Sequence, residues 1–470
     1  MSEYLRAEDS DTICAVATPP GVGGISVIRV SGDGAAAISR KICPFLPDNP
    51  ESHKMYYGIC RSTDTSSDGA GDIDEVLASY FADGRSFTGE ETVEISCHGG
   101  EVLTATVLKE LLKCGARLAK PGEFTYRAFM SGRIDLVQAE SVLGLIESQS
   151  RQSARVALRQ LQGHLSTEFA RIENDLLWIL AQLEANIDFS SEGIEVTGSD
   201  QLVTRTSGLI DFTSKLLQTY AQGRLLKDGI QIALAGKPNA GKSSVLNALL
   251  REERAIVTAE AGTTRDLVEG KLSYAGVPIT FVDTAGLRET ENEAERIGIE
   301  RSRKTMRTAD KVFFIVDLSS PGWADDLREF HAESGSNAVF VFNKVDLDKT
   351  DEWRATSEAL TERMSVIDQT FWISAKSRKG FVELEQYIAS LAKTGDSDSS
   401  NVVTQARHQE QLQKIHSCLL KALDLIKRDS SPEFIAFELQ ESVRAIHELL
   451  GKEFHEQVID RIFKEFCLGK

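Results

Sequence analysis

The sequence lacks several features that mark whole classes of protein. Its seven scattered cysteines include no C-x-x-C pair, which argues against a disulfide framework and against a zinc site. No run approaches eighteen apolar residues, and no basic stretch precedes an apolar run at the start, so we expect neither a membrane span nor a secretion signal. The formal charge of −18 excludes surface-wide attraction to phosphate backbones. We therefore expect a cytoplasmic protein that binds nucleic acid only through a local basic patch or a basic partner.

The patterns along the 470 residues predict several domains, because one core cannot serve so long a chain. Residues 1–120 mix β-branched runs such as ISVIRVSG with turns, as in a small α+β domain. Residues 225–392 are rich in strands, whereas 121–224 and 393–470 carry apolar residues at steps of three and four. The simplest arrangement is a discontinuous helical-bundle domain with an α/β domain inserted into it.

Two details of the helical segments are specific enough to check. The apolar stripe from Leu158 to Ile187 predicts one long helix. Further on, the sequence SPE predicts a helix with Ser431 at its N-cap and Pro432 at its first position.

The apolar run QIALA leads into a phosphate-binding motif, G-x-x-x-x-G-K-S, from Gly236 to Ser243, followed by the helical SVLNALL. In this strand-loop-helix context, glycines let backbone N–H groups turn towards phosphates, and the helix N-terminus adds its dipole. We expect Lys242 to reach the β- and γ-phosphates and Ser243 to bind Mg²⁺.

Further motifs complete a nucleotide site. Asp283 ends the strand of ITFVDTAG and can hold Mg²⁺ through water, and Gly286 can meet the γ-phosphate through its backbone N–H. The hydroxyl of Thr264, in GTTRD, can complete the metal shell. In NKVD, the carboxylate of Asp346 can accept both N–H donors of guanine, a pair that adenine lacks.

These elements, in this order, resemble the P-loop GTPases over roughly residues 227–390. The resulting set of GTP-binding candidates comes from five segments: Asn239, Ala240, Gly241, Lys242, Ser243, Ser244, Thr258, Ala259, Glu260, Ala261, Gly262, Thr263, Thr264, Asp283, Thr284, Ala285, Gly286, Asn343, Lys344, Asp346, Ser374, Ala375 and Lys376. Ras-like enzymes orient the attacking water with a glutamine after D-x-x-G, but this chain has Leu287 there. Hydrolysis must therefore be very slow or use another polar group and another source of positive charge.

Over nearly its whole length the chain resembles the MnmE (TrmE) family of tRNA-modification GTPases. The stretches that carry this resemblance are TPPGVGGISVIRVSG, SFTGEETVEISCHGG, PGEFTYRAFMSGRIDLVQAE, GKPNAGKSSVLNAL, IVTAEAGTTRD, DTAGLRETENEAERIGIER and the closing FCLGK. The resemblance implies an N-terminal tetrahydrofolate-binding and dimerisation domain, a helical bundle in two parts, and an inserted Ras-like P-loop GTPase domain.

The same resemblance implies which polar group and which positive charge assist hydrolysis, since Leu287 stands where Ras-like enzymes have the glutamine. It implies a K⁺ ion near the phosphates, bound by Asn239, Thr258, Glu260 and Thr263. It also implies that Glu295 orients the attacking water, and that the switch residues Arg265 and Asp266 act with Lys242 in catalysis.

In the N-terminal domain the resemblance implies a site for 5-formyl- or 5,10-methylene-tetrahydrofolate. Its candidate residues are Arg29, Glu94, Arg133 and the terminal Lys470. Cys467, in the CLGK end, is a candidate for the one-carbon chemistry. A lipid-attachment signal is a poor match there, because Gly469 replaces the second aliphatic residue and Lys470 ends the chain.

The function implied is GTP-driven modification of the wobble uridine of certain tRNAs at carbon five. The resemblance also implies a homodimer formed through the N-terminal domain. It implies the partner MnmG, in a heterotetramer, with FAD bound by the partner only and tRNA bound mainly in the complex. Three alternatives stay open: a ribosome-assembly GTPase of the Era or Der type, a prenylated signalling GTPase, and a catalytically silent scaffold.

Overall fold

Two six-stranded sheets organise the structure, a computed structural model, with helices around each of them. By their contacts the residues form two units, unit 1 with 1–143, 158–214 and 407–470, and unit 2 with 144–157 and 215–406. The described residues are 11–64, 71–189, 199–250, 269–274, 276–283, 305–320, 322–326, 328, 337–347, 369–392 and 401–470.

The sheet of unit 1 has the strand order β3-β4-β5-β2-β1-β6. Its neighbouring strands are antiparallel except for β1 and β6, which are parallel. The strands are β1 Ile13–Val16, β2 Ile25–Ser31, β3 Lys54–Arg61, β4 Asp72–Phe81, β5 Thr92–His98 and β6 Arg117–Leu118.

Alternation along these strands sends every second side chain to a core on one face of the sheet. Helices α1, Ala35–Ile42, and α2, Glu101–Lys113, cover that face, and residues such as Ile28 and Ile95 are fully buried there. On the opposite face, at β1, Phe124 of α3 packs with Ile13. Helix α3 spans Glu123–Met130.

The helices that follow carry the bundle predicted from the apolar periodicity. Their bounds are α4 Leu136–Ile146, α5 Arg151–Leu161, α6 His164–Phe189 and α7 Ser199–Asp228, then, near the C-terminus, α10 Ala406–Lys427, α11 Pro432–Leu450 and α12 Glu456–Lys464. Helix α6 packs on α11, and α12 packs through Phe463 against Tyr126 and Phe129 of α3.

The prediction of one long helix from Leu158 to Ile187 is wrong, because the stripe is divided between α5 and α6. Gly163 lies in the break with φ of +86°, a left-handed conformation that glycine adopts readily. The predicted start of α11 is confirmed, with Ser431 at the N-cap and Pro432 in the first turn.

The sheet of unit 2 has the order β12-β11-β10-β7-β9-β8, and only β8 runs antiparallel to its neighbour. Its elements are β7 Ile230–Ala235, α8 Lys242–Leu250, β8 Glu269–Tyr274, β9 Val277–Asp283, β10 Lys311–Asp317, β11 Ala338–Asn343, β12 Gln369–Trp372 and α9 Phe381–Leu391.

Both faces of this sheet are buried, as expected for parallel strands that read as continuous apolar runs. Ile232 and Leu234 of β7 belong to the core under α8 and α9, whereas Ala233 and Ala235 belong to the core on the other face. The expected combination of an α+β domain, a helical bundle and an α/β domain is therefore confirmed. Among the described residues, none of the helices is long and apolar enough to cross a bilayer.

Candidate nucleotide site and Arg29–Glu94 site

The nucleotide-site candidates of unit 2 meet at one edge of its sheet. Strand β7 lies inside the sheet, and the chain crosses from β9 on one side of it to β10 on the other. In open α/β sheets, ligands bind at the carboxyl ends of the strands where the strand order reverses. The residues found at these carboxyl ends are Gly236, Asp283, Asp317, Asn343 and Ser374.

The loop between β7 and α8 has the backbone geometry of an anion cradle. Three of its residues have positive φ, namely Gly236 at +140°, Asn239 at +64° and Gly241 at +98°. Gly241 also lies against the Asn343 side chain, so a Cβ atom there would collide with it. The two glycines are thus required by conformation, and successive N–H groups in such turns form an anion-binding concavity.

Lys242 begins α8 and folds its side chain back over the loop. Its Nζ donates to the carbonyl oxygens of Gly236, at 2.7 Å, and of Lys237, at 2.9 Å. The residue is only 5% exposed. Burial lowers the pKa of Lys242, and the nearby Asp283 carboxylate opposes that shift. An ammonium has three donors, so one remains for an anion at the loop.

Ser243 and Asp283 lie side by side at the mouth of the same loop. The hydroxyl of Ser243 donates to Oδ2 of Asp283 at 3.2 Å, although the two residues are forty positions apart. Asp283 ends β9 and is 3% exposed. A hydroxyl and a carboxylate oxygen are the hard ligands that suit Mg²⁺, so this pair fits the ion that the sequence predicts.

Asn343, at the end of β11, joins the phosphate loop to the guanine side of the site. Its Nδ2 donates to the carbonyl of Ala240 at 3.0 Å. Its Oδ1 accepts from the backbone amides of Lys344, at 2.8 Å, and Ala375, at 3.1 Å. The side chain is buried and thereby holds three segments in one arrangement.

Asp346 presents an exposed carboxylate beside the loop that follows β12. A hydrogen bond from the buried Ser374 side chain is the main cause that lowers the pKa of Asp346, and the charge of Lys376 adds to it. The carboxylate therefore stays ionised, as an acceptor of two guanine N–H donors must.

Asp317 is a member of this site that the motifs did not reveal. Its Oδ2 lies 2.5 Å from Nζ of Lys344, which fixes the lysine next to the guanine side. Burial raises the pKa of Asp317, but hydrogen bonds from Lys344 and Ser319 outweigh it and lower the pKa. The available signal was an acidic residue ending the apolar strand KVFFIVD, the same pattern that marked Asp283.

The remaining nucleotide candidates lie outside the described residues. They include all proposed K⁺ ligands except Asn239, the hydroxyl proposed for Mg²⁺, and the catalytic candidates of the switch segments. These residues are Thr258, Ala259, Glu260, Ala261, Gly262, Thr263, Thr264, Arg265, Asp266, Thr284, Ala285, Gly286 and Glu295.

In unit 1, Arg29 of β2 and Glu94 of β5 are direct cross-strand partners. The Nε and Nη2 atoms of Arg29 each lie 2.8 Å from Oε1 of Glu94. The guanidinium carbon is 5.7 Å from the Phe87 ring centroid and 5.5 Å from that of Phe124. The two rings were not predicted, because nothing in the sequence connects them to Arg29.

The C-terminal tail reaches this part of unit 1. The backbone amide of Gly122 donates to the carbonyl of Cys467 at 3.4 Å, and the amide of Phe124 donates to Lys470 at 3.2 Å. Cys467 itself is exposed. Lys470 is thus bound to the residue whose ring lies against Arg29. Arg133, just beyond α3, is also exposed, and its amide donates to the carbonyl of Ala128.

Known proteins match this chain over its whole length. A family model described as the MnmE helical domain matches residues 136–467, and one described as the GTP-binding protein TrmE N-terminus matches residues 12–133. A protein of Bdellovibrio bacteriovorus named tRNA modification GTPase MnmE is 45% identical over 100% of this chain and 100% of its own length. Proteins of the same name from Heliobacterium modesticaldum and Ligilactobacillus salivarius are 40% and 39% identical, each over 98% of this chain and over 99% and 98% of their own lengths. Full-length similarity at this level shows that the chain belongs to the MnmE (TrmE) family of tRNA modification GTPases.

Proposed function

We propose that this chain, a tRNA modification GTPase by its family, uses GTP hydrolysis to drive modification of the wobble uridine of certain tRNAs at carbon five. The product carries an aminomethyl or carboxymethylaminomethyl group, and a tetrahydrofolate supplies the one-carbon unit. The main support is the set of contacts that Asn343 makes to Ala240 and Ala375, since it unites a phosphate loop with a guanine-type pocket.

In the GTPase step, the N–H groups of the loop and Lys242 hold the phosphates, and Asp346 selects guanine. Ser243, Thr264 and, through water, Asp283 would hold Mg²⁺, which supplies charge neutralisation between the β- and γ-phosphates when bound. The 3.2 Å contact between Ser243 and Asp283 supports this assignment.

Glu295 orients the attacking water in this proposal, because Leu287 has no polar group for that role. Asn239, Thr258, Glu260 and Thr263 would hold K⁺, which supplies positive charge near the β–γ bridge when bound. When an arginine supplies such charge it accelerates hydrolysis by about 10³–10⁵. Asn239 has an exposed side chain at a positive-φ turn of the loop, which supports a role as a cation ligand.

In the N-terminal region, Glu94 and Arg29 form an acceptor–donor pair suited to the amide-like edge of a pterin. Lys470 and Arg133 would bind the carboxylates of the glutamate tail. The half-buried Phe87 ring, whose centroid lies 5.7 Å from the Arg29 guanidinium carbon, offers an apolar wall for the folate. The folate supplies the one-carbon unit when bound, and these residues position it.

Cys467 is the proposed functional thiol of the one-carbon step, and it carries no lipid. Its exposure, together with the contacts of the tail to Gly122 and Phe124, supports this role. Cys467→Ser should keep GTP hydrolysis and lose tRNA modification, with Cys418→Ser as the control for a change of thiol in a helix core. Full modification by Cys467→Ser would reject the role.

The chain is proposed to work as a homodimer through its N-terminal domain, in a heterotetramer with the FAD-binding partner MnmG, in the cytoplasm. Support for the dimer comes from the sheet of unit 1. On the face opposite its main core, Met55, Tyr57 and Ile25 are 60%, 66% and 65% exposed. Strand register puts all three on the face that carries Arg29 and Glu94, so a second copy covering them would border the folate residues.

The first test is steady-state GTP hydrolysis in K⁺ against Na⁺ at matched ionic strength. Wild type should be strongly stimulated by K⁺, and Asn239→Ala should lose that stimulation. Glu295→Ala should bind GTP but turn over about 100-fold or more slowly, since a water-orienting base contributes on that scale. Asn247→Ala, which changes an exposed asparagine of α8, serves as the matched control.

Equal rates in both salts would reject the cation-assisted mechanism. The one-carbon proposal is tested separately, by analysing the wobble uridine in tRNA from cells that depend on this chain. Unmodified uridine in the presence of an active GTPase would favour the alternative, a ribosome-assembly switch of the Era or Der type.

A further inference from the structure

Helix α5 carries an arginine stripe, Arg151, Arg155 and Arg159, which neither the nucleotide site nor the folate site uses. Between Glu147 and Glu168 the sequence has no aspartate or glutamate, although the whole chain has a formal charge of −18. Among the described residues, none of the three arginines forms an ion pair. Elsewhere, exposed arginines such as Arg428, in the turn after α10, and Arg444 of α11 have acidic partners three or four residues away.

The stripe lies on the solvent side of a well-formed helix. Arg151 and Arg155 are exposed, whereas Ser153 and Val156 are buried. Ser150 and Ser153 cap the helix reciprocally, each accepting the other's backbone amide through its hydroxyl, at 3.0 Å and 3.1 Å. Spacing of four residues places successive arginines about 6 Å apart along the axis, on one face.

This arrangement is unfavourable for the helix by itself. Like charges at i and i+4 repel one another on a helix surface. Arg151 also occupies the first helical residue, where the macrodipole disfavours a cation. Natural sequences keep such local conflicts mainly at functional sites. A row of phosphates along α5 would neutralise these positive charges, and each arginine would then be attracted to a phosphate.

We propose that the arginine stripe of α5 is a contact surface for the phosphate backbone of tRNA. This inference rests on the proposed function, and it identifies the local basic patch that an acidic chain needs in order to bind RNA. Arginine suits the role because its planar fork of donors pairs with phosphate oxygens in two places at once. Such contacts position the RNA without reading its sequence.

The test is binding of a fluorescently labelled tRNA transcript to the full-length chain over a range of salt concentrations. Arg151→Gln/Arg155→Gln is compared with Arg428→Gln/Arg444→Gln, which removes the same charge from the turn after α10 and from α11. The α5 variant should bind about ten-fold or more weakly, and its plot of log affinity against log salt should be shallower by about 1.5–2, because two phosphate contacts are lost. The control variant should match wild type, and both should keep GTP hydrolysis.

Equal weakening of tRNA binding in the two double variants would mean a general effect of net charge, and would reject the arginine stripe as a tRNA contact surface. Unchanged binding in the α5 variant, or no binding by wild type even at low salt, would reject it as well. The proposed function is examined separately through the wobble uridine in cells. If wild type fails to restore modification there, that function is wrong. If the α5 variant restores it at the wild-type rate, only the inference about α5 is wrong.

Discussion

The backbone of Lys470, the last residue, accepts a 3.2 Å hydrogen bond from the amide of Phe124, near the start of α3. The chain end is therefore held against the N-terminal region of the same unit. Since the Phe124 ring also lies against Arg29, this bond connects the CLGK end to the candidate folate residues.

Gly469 makes this docking possible, and Gly469→Ala should undo it. Its φ is +89°, and a Cβ there would lie 2.9 Å from the carbonyl carbon of Val16. An alanine would displace the tail, so we expect wobble-uridine modification to fall by about 100-fold, the scale of a misplacement of about 1 Å, while GTP hydrolysis persists. Leu468→Ala, an exposed neighbour, should leave both activities unchanged. Normal modification by Gly469→Ala would show that docking of the tail is not needed for the one-carbon chemistry.

Phe463 anchors the helix that leads to the tail, and Phe463→Ala should loosen it. Its fully buried ring meets Tyr126 edge-on, with 5.4 Å between ring centroids. Truncating such a ring in a core costs about 3–5 kcal/mol. Hydrogen exchange of the amides in α3 and α12 should accelerate accordingly. Val458→Ala, on the exposed side of α12, is the control, and similar exchange in the two variants would contradict this packing role.

Sequence motifs predicted the candidate residues of the nucleotide site because each motif holds its own residues close together along the chain. The loop from Gly236 to Ser243 and the NKVD segment each hold their chemistry within a few positions, between a strand and the next turn. Thr258 to Asp266 and Glu295, which lie outside the described residues, stay predictions.

The sequence alone could not predict which residues distant along the chain contact each other. Arg29 and Glu94 were both named from the family resemblance, but their direct pairing depends on strand register across 65 positions. Periodicity also missed the break at Gly163, because the three- and four-residue spacing of apolar residues continues through the turn, although Leu158 in the stripe is exposed. Asp317 was missed because its role depends on Lys344, which directly follows the neighbouring strand β11.

Asp346 should determine base selectivity, and Asp346→Asn should change it. In the proposed site the carboxylate accepts two guanine N–H donors, whereas the amide of asparagine would present an N–H₂ donor group in place of one acceptor oxygen. GTP affinity should fall by about 100-fold, on the scale of lost hydrogen bonds to a charged group, and binding of xanthosine triphosphate should improve. Titration with fluorescent nucleotides measures both, with Asp325→Asn as an exposed control. Retained preference for GTP would mean that guanine is recognised elsewhere.

Glu140 of α4 forms a buried ionic cluster with the first residues after the inserted α/β segment. Its carboxylate accepts from Nε of Arg407 at 2.8 Å and lies 2.6 Å from Nε2 of His408. Burial raises the pKa of Glu140, but the charge of Arg407 and the contact with His408 outweigh it and hold the pKa at about 2. Burial also lowers the pKa of His408, which favours the neutral imidazole.

Because the folded-state pKa of Glu140 is depressed, its stabilisation is present above about pH 4.5 and is lost as the pH falls towards 2. Glu140→Gln should therefore lower the local free energy of unfolding by about 3 kcal/mol at pH 7 and remove much of its decline in acid. Hydrogen exchange of α4 and α10 at pH 7 and in acid measures this. Glu441→Gln, which disrupts only half-exposed pairs, should change it by less than about 1 kcal/mol. Equal losses in the two variants would mean that burial of the Glu140 cluster adds nothing to the stability of unit 1.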